Sequence, residues 1–303
     1  IESVRSALST KHEVIMIEAD ENSCEKLKSS QPDIVFNIAE GKDGPNRESY
    51  IPVLMEMLNI PYTGSDPMTL SLCLDKGRAK EILSFYKIST PRFQIVSSPS
   101  EEIKLKKFPL MVKPLHEGSS KGVRNDAVVF TTDHIKKKIE EITTVYHQPV
   151  LVEEYLNGRE FTVALMGNDG DTRVLPIVEI KFDSLPQHIN PIYSYEAKWI
   201  WDRSDRPLEI FQCPADIHDE LKAKIEEIAL KAYKSLRCRD WCRIDIRLDS
   251  KGSPHILELN PLPGILPRPE DNSCFPKAAM TAGMSYNEMI LSVLNIALKR
   301  YGI

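Results

Sequence analysis

The chain reads as an α/β segment followed by a larger α+β region. Three observations predict this: strands and helices alternate over the first 75 residues, strand pairs dominate after that, and a hairpin near the C-terminus carries clustered carboxylates. At 303 residues with 42% hydrophobic content, the chain is long enough to bury more than one core. A net charge of −5 offers no general attraction to nucleic acid or to an anionic membrane. No apolar run reaches the length of a bilayer span. The six cysteines are scattered; Cys238 and Cys242 are spaced more widely than a redox CxxC pair, and no second pair completes a zinc site. Buried thiols in a reducing compartment are expected, and with them a cytoplasmic location.

The elements follow from periodicity. The chain opens at Ile1 inside an expected helix (Ser3 to Leu8), which suggests that a first strand lies upstream. Glu13-Val-Ile-Met-Ile-Glu reads as a strand, Cys24 to Ser30 as a helix and Asp33-Ile-Val-Phe-Asn-Ile as a second strand. Asn46 to Leu58 reads as an amphipathic helix with Val53, Leu54, Met57 and Leu58 inward. Asp66-Pro67 opens another helix, with proline at a tolerated first-turn position. Strands are then expected at Pro109 to Lys113, Val123 to Phe130, Val150 to Glu154, Glu160 to Met166 and Val174 to Phe182, paired antiparallel. A helix from Ala215 to Leu236 precedes the hairpin. The last helix starts at the capping box Ser285-Tyr-Asn-Glu288 and stops at Gly302. Three domains are expected: 1–75, a smaller lobe over 76–155, and a larger one over 156–303.

The hairpin carries the strongest chemical signal. Arg243-Ile-Asp-Ile-Arg-Leu and His255-Ile-Leu-Glu-Leu-Asn-Pro each alternate, and Asp249-Ser-Lys-Gly-Ser-Pro between them is turn chemistry. Closure about that turn sets Asp245 opposite Glu258 and Arg243 opposite Asn260. Two carboxylates, a carboxamide and a guanidinium on one patch suit Mg²⁺, which takes one or two carboxylates plus substrate phosphates. The alternative is a solvated face with cross-strand ion pairs. Ile244, Ile246, Leu257 and Leu259 look like the core side.

There is no GxxxxGK[ST] loop and no GxGxxG after a strand. Glu117-Gly-Ser-Ser-Lys-Gly122 links two strands instead, and its glycines, amides and hydroxyls can cradle an anion; a flexible turn is the plainer reading. Lys113 closes an apolar strand beside it, as a fixed cation or an edge-strand charge. Lys76, taken alone, reads as an ordinary solvated helix residue. Val150 to Leu156 runs into an acidic linker where backbone groups can meet a purine edge and Glu160 a ribose, or where a strand simply ends.

Taken together and in order, these segments resemble ATP-grasp enzymes of the D-alanine–D-alanine ligase branch. The matching motifs are Ile60-Pro-Tyr-Thr-Gly-Ser65, Leu74-Asp-Lys76, Val112-Lys-Pro-Leu-His-Glu-Gly-Ser-Ser120, Leu151-Val-Glu-Glu-Tyr-Leu156 with Glu160, Tyr195-Glu-Ala-Lys198, Cys242-Arg-Ile-Asp245 and Glu258-Leu-Asn-Pro-Leu-Pro-Gly264. The resemblance implies a pre-ATP-grasp domain and two α+β lobes that sandwich ATP. It implies adenine recognition along Glu153, Glu154, Tyr155 and Leu156, with Leu257 beside them and Glu160 at the ribose. Lys76, Lys113 and Lys198 would contact phosphate, with Glu117, Gly118, Ser119 and Ser120 in a mobile loop. Asp245, Glu258 and Asn260 would hold two Mg²⁺, with Mn²⁺ as a substitute. Arg243 and the Gly264 amide would stabilise an oxyanion, with Ser119 and Lys198 also in the catalytic set. The implied reaction converts a carboxylate to an acyl phosphate and couples it to an amine, in a homodimer acting on amino acids or small peptides.

The sequence departs from that family at the substrate end. Asn37-Ile-Ala-Glu-Gly-Lys-Asp-Gly44 lacks the family's histidine and offers Glu40; Trp199 stands where tyrosine is common. Pro261-Leu-Pro-Gly-Ile265 replaces Thr-Ser-Pro-Gly-Met, which brings in Leu262. The stretch before Ser273, the expected acceptor-carboxylate serine, is longer and more charged (Arg268, Glu270, Asp271). These changes predict a product other than D-alanyl-D-alanine. The alternatives are a true D-alanine–D-alanine ligase and a non-catalytic nucleotide-binding regulator.

Overall fold

A computed structural model describes residues 1–186, 189–202 and 208–303. The N-terminal part carries the short helices α1 (Glu2–Leu8), α2 (Ser23–Ser30), α3 (Tyr50–Met57), α4 (Pro67–Leu74) and α5 (Lys76–Phe85). Here three expectations need correction. Residues 13–18 form no ladder, and parallel pairing in this part is confined, among the described residues, to the bridge between Val35 and Tyr62. The helix expected from Asn46 begins as a 3₁₀ turn (Arg47–Ser49), and its inward face carries Pro52 and Met55. Val53 and Met57 are 42% and 74% exposed. Leu54 and Leu58 pack inward as expected, while Ile51 and Met55 take the places of Val53 and Met57, so the stripe is rotated by about a quarter turn from the expected one. Asp66 caps α4 by accepting the Thr69 amide, as the Asp-Pro signal predicts.

The next layer is the antiparallel sheet β1 (Phe93–Val96), β2 (Leu110–Pro114), β3 (Val128–Val129) and β4 (Val150–Glu154), in the order β1-β4-β2-β3. Only two residues of the expected 123–130 strand pair, because Val123 closes a turn on Ser120 and Asn125–Ala127 form a 3₁₀ turn. Helix α6 (Thr132–Tyr146) lays Ile135, Ile139 and Ile142 on the apolar face of this sheet, against Val112, Val150 and Val152.

The larger sheet holds β5 (Glu160–Met166), β6 (Arg173–Val174), β7 (Val178–Ile180), β8 (Phe211–Gln212), β9 (Trp241–Leu248) and β10 (Pro254–Asn260). Its order is β10-β9-β5-β7-β8, with β6 on β5. The single strand expected over 174–182 is thus split in two. Helix α7 (Asp219–Ser235) starts four residues later than expected, where His218 caps it. It covers one face through Leu221, Ile225 and Ala229. Helices α8 (Cys274–Thr281) and α9 (Tyr286–Tyr301) cover the other with α1. Ser285 and Glu288 form the expected capping box, and Gly302 ends α9 in the left-handed region. Part of one sheet face stays open, where Arg243, Asp245 and Arg247 of β9, Thr162 of β5 and Glu258 of β10 line a cavity.

Candidate active site between the two sheets

The hairpin closes in the expected register, with Asp245 opposite Glu258 and Arg243 opposite Asn260. A β-bulge between Ile256 and Glu258 breaks the alternation. Ile256 and Leu259 therefore face the core, and Leu257, expected there, turns to a cavity of about 410 Å³. The cavity lies between the two sheets and collects wall residues from β2, β4, β5, β9, β10 and the loops beyond.

Its charged floor is a chain of ion pairs. Asp245 accepts from Arg243 (3.0 Å), from the Thr162 hydroxyl (2.6 Å) and from the Asn260 amide nitrogen (3.2 Å). Burial opposes the Arg243 charge, but Asp245 outweighs it and raises the guanidinium pKa. Glu258 lies 3.7 Å from Lys76. Burial alone would push the Glu258 carboxyl up, yet Lys76, Lys113 and Arg243 together hold it down to about 2. It is ionised at neutral pH.

Lys76 and Lys113, whose plainer sequence reading is a surface charge, are both interior. Lys76 is 7% exposed and donates to the Glu117 carbonyl, and burial lowers its pKa. Lys113 sits on β2 between two neighbours, not on an edge, and bonds Glu153 at 2.7 Å. Burial works against its charge, but Glu153 reverses the balance and raises the pKa. The same carboxylate takes Lys80 at 2.8 Å, a fully buried lysine that sequence reasoning passed over. Glu153 is thus committed to two cations, and its carboxylate is not free for adenine. The Glu154 side chain turns to Arg92 at the surface, which leaves the strand backbone with Tyr155 and Leu156 on the cavity wall.

Glu160 lines the same wall and accepts from Arg247 at 2.8 Å. Burial raises its pKa, with Arg247 opposing. Arg247 lies over the rings of Tyr155 and Phe182, at 5.0 and 5.4 Å. Its position opposite Glu160 in the β5–β9 register was available only once those two strands were paired.

The loop 117–122 bends through Ser119 and Ser120 at positive φ, and Gly122 packs against Pro114 so tightly that a Cβ would lie 2.3 Å from its ring. Ser120 donates to the Tyr193 carbonyl (2.9 Å), and Trp199 donates to the Ser119 carbonyl (3.0 Å). The loop is therefore pinned to the segment that carries Lys198. That segment makes a π-helical turn over Ala197–Trp201, whose extra residue per turn aims Lys198 at the cavity. Burial, then Arg243, lowers the Lys198 pKa.

The far wall consists of Gly264, Leu266 and Glu270 to Cys274. Ser273 donates to the Gly264 carbonyl (2.9 Å) and accepts the Leu266 amide (3.2 Å), which holds this wall together. Arg268 and Asp271 pair at 2.9 Å, and Asn272 donates to Asp202 at 2.6 Å. Burial pushes the Cys274 thiol up to about 12, so it is a neutral wall group and not a nucleophile. Two expected substrate residues are elsewhere: Glu40 is exposed off the wall, and Leu262 does not line the cavity. Asn260 reaches the site only through Asp245. A carboxylate of the N-terminal part that sequence reasoning did not single out is Glu48, which is not among the wall residues but has Arg47, Glu40, Lys76 and Glu258 as charged neighbours. Burial pushes its carboxyl up to about 7. No sequence signal marked it, because it lay inside an expected amphipathic helix.

The donor set suits a hard divalent cation. Asp245 and Glu258 face each other without sulfur or imidazole, and the oxygen of the Asn260 amide remains after its nitrogen is used. No cluster of three or more His, Cys, Asp or Glu side chains able to hold a metal exists among the described residues. Mg²⁺ takes one or two protein carboxylates and completes its shell with water and phosphate oxygens.

Comparison with known proteins agrees with this geometry. Residues 83–295 match the family described as "D-ala D-ala ligase C-terminus". The chain is 36% identical over 298 residues to the uncharacterized protein y4sG of Sinorhizobium fredii, covering 96% of this chain and 84% of that one. It is 31% identical to the D-alanine–D-alanine ligase of Bordetella petrii over 287 residues, 93% and 81% of the two chains. The crystal structure of the Bacillus anthracis D-alanine–D-alanine ligase complexed with ATP superposes with a TM-score of 0.75 at 24% identity, over 99% of this chain and 91% of that one. At that identity the superposition speaks for the fold.

Proposed function

The chain belongs to the D-alanine–D-alanine ligase family of ATP-grasp enzymes, which makes it an ATP-dependent, ADP-forming carbon–nitrogen ligase, and from that premise we propose that it joins amino acids or small peptides with an acceptor pocket altered from the family's. The observation that carries this reading is the co-location, on one cavity, of the Asp245–Glu258 pair, three lysines, the 117–122 loop and the charged wall 266–274.

In the proposed reaction a donor carboxylate attacks the terminal phosphorus of ATP, ADP leaves, an amine attacks the acyl phosphate, and phosphate departs. The first attack brings an anion to a polyanion, so the cations decide the barrier. Lys76, Lys113 and Lys198 neutralise phosphate oxygens, and Glu153 and Lys80 hold Lys113 in place from beneath. Mg²⁺ held by Asp245, Glu258 and the Asn260 oxygen, two ions by analogy with the family, would supply further charge cancellation; Mn²⁺ would serve as a substitute. Arg243, oriented by Asp245, and the Gly264 amide face the oxyanion of the acyl-transfer step. The 117–122 loop, tied to Trp199 and Tyr193, excludes water from the hydrolysable intermediate. Adenine would lie along the backbone of Glu154 to Leu156, with the ribose near Glu160.

The altered pocket is argued from its walls. A methyl side chain needs a small apolar recess, whereas Glu270, Asp271 and Asn272 make this wall polar and Trp199 makes it bulky. A larger polar or cationic acceptor fits such a wall better than D-alanine. ADP and phosphate release with Mg²⁺-ATP across an amino-acid and dipeptide panel tests both levels. Turnover with D-alanine as the preferred pair would overturn the altered pocket, and no turnover with any acid–amine pair would overturn the ligase reading.

A further inference from the structure

Arg243, Asp245 and Arg247 alternate along β9, so all three stand on the sheet face that lines the cavity. Each two-residue step is roughly 6.8 Å, and the strand therefore offers three stations in a row: a guanidinium, the expected metal carboxylate and a second guanidinium. The first two have roles in the proposed reaction; Arg247 has none. It is 4% exposed, a costly place for a charge unless its donors are answered. Nη1 donates to Glu160 Oε2 at 2.8 Å and Nε to the Gly158 carbonyl at 3.2 Å. Nη2 donates to the Pro191 carbonyl at 2.7 Å and to the Tyr155 hydroxyl at 3.3 Å, and the guanidinium lies over the rings of Tyr155 and Phe182.

These partners meet at one end of the cavity. Tyr155 and Gly158 lie on the linker between β4 and β5, Glu160 opens β5, and Pro191 precedes the turn that carries Lys198. All three nitrogens of Arg247 are engaged, so it does not reach for a ligand itself; a planar fork with this many fixed partners orients the groups it holds. The partner with capacity to spare is Glu160. Arg247 takes its Oε2, and Oε1 has no hydrogen bond among the described residues. A wall carboxylate fixed through one oxygen can present the other to hydroxyl donors. We propose that Arg247 is a positioning residue for nucleotide selection: it fixes the Glu160 carboxylate so that a ribose with its vicinal hydroxyls is told from one without them. This rests on the nucleotide site of the ligase reading above and deepens it.

Calorimetric titration of the full chain with Mg²⁺-ADP and with its 2′,3′-dideoxy analogue reads this preference without turnover. Phosphate release from ATP and 2′,3′-dideoxy-ATP reads it again in kcat/KM. The wild type should favour the ribose form by about 10- to 100-fold in both. Arg247→Met, which keeps the length and removes the donors, should cut the preference to within about threefold and raise the ATP KM by about tenfold, with the donor-acid KM within about threefold. Glu160→Ala should lose the preference as fully, and the double variant should lose no more, because both changes act through one carboxylate. A packing role alone would raise the ATP and acid KM together and leave the preference intact. That result overturns the inference, as does equal wild-type binding of the two nucleotides or a further loss in the double variant. If the methionine variant does not fold, Arg247→Lys decides the matter: it keeps the charge without the fork, and the preference should fall by about threefold or more. A preference unchanged by lysine overturns the inference. A preference that follows Arg247 in the titration, with no phosphate release for any acid–amine pair, overturns the ligase reading alone.

Discussion

The two ends of the cavity are built on different principles. At the phosphate end each charge is answered by another on a neighbouring regular element: Lys80 on α5, Glu153 on β4 and Lys113 on β2 form one buried chain. At the substrate end the walls are loop, from Gly264 to Ser273, and the contacts there are hydrogen bonds among exposed or half-exposed groups. Glu48 resembles this second kind in being carried on a short turn, with no hydrogen bond or ion pair among the described residues. The contrast teaches where change is tolerated. Charges that must meet a triphosphate are fixed by strands whose register cannot slip without exposing a core. Groups that choose the substrate sit on connections that accept insertion and substitution.

That contrast can be broken at its strong end first. Asp245→Asn removes an expected metal ligand and leaves the buried Arg243 without its ion pair; ADP formation should fall by about 10⁴-fold, or about 5 kcal/mol in the barrier. A coupled ADP assay at saturating amino acid measures it. Glu153→Ala strands two buried ammonium groups, and we expect about 3–5 kcal/mol of lost stability in denaturant melts. A loss below about 1 kcal/mol would show that the ionic chain is dispensable.

The weak end sharpens the contrast through pH. The Glu48 carboxyl is raised to about 7 by burial, so the folded protein holds that proton more tightly than the unfolded chain does. The associated stability is present below the ordinary carboxyl pKa and is lost as pH rises through about 7. Glu48→Gln, without nucleotide or Mg²⁺, should therefore stabilise the protein by about 1–3 kcal/mol at pH 8, with the gain vanishing near pH 4. Melting curves at the two pH values decide it; an equal effect at both would remove burial as the cause. The smallest effect belongs to the far wall: Arg268→Ala breaks a solvent-screened pair and should leave the melting temperature essentially unchanged. It should shift acceptor KM while leaving the ATP KM alone, and a change in the ATP KM would show the two ends to be coupled.

The legibility of the chain follows the same division. The Asp245–Glu258 register was readable because a short polar turn and strict alternation leave one way to close the hairpin. The bulge beside Leu257 was not, since an extra residue in a strand leaves no mark on an alternating sequence. The Ser285 and Asp66 caps were readable from local chemistry. The inward face of α3 was misjudged because every position from Ile51 to Leu58 except Glu56 is apolar or proline, so periodicity carried little phase information. Lys76 looked solvated because a lysine in a polar helix usually is; its burial depends on Glu117 and Glu258, which are distant in the chain.

Sequence alone determined the order of motifs, the antiparallel pairing of the later strands and the pair of carboxylates that face each other on the hairpin, because these are set by alternation, turn residues and spacing within a few positions. Tertiary structure decided which charges are neutralised and which are left waiting. Glu153 acquired two lysines, Glu160 acquired Arg247, and Glu48 acquired none among the described residues, since the partner of a buried charge is fixed by which elements pack together and not by its neighbours along the chain.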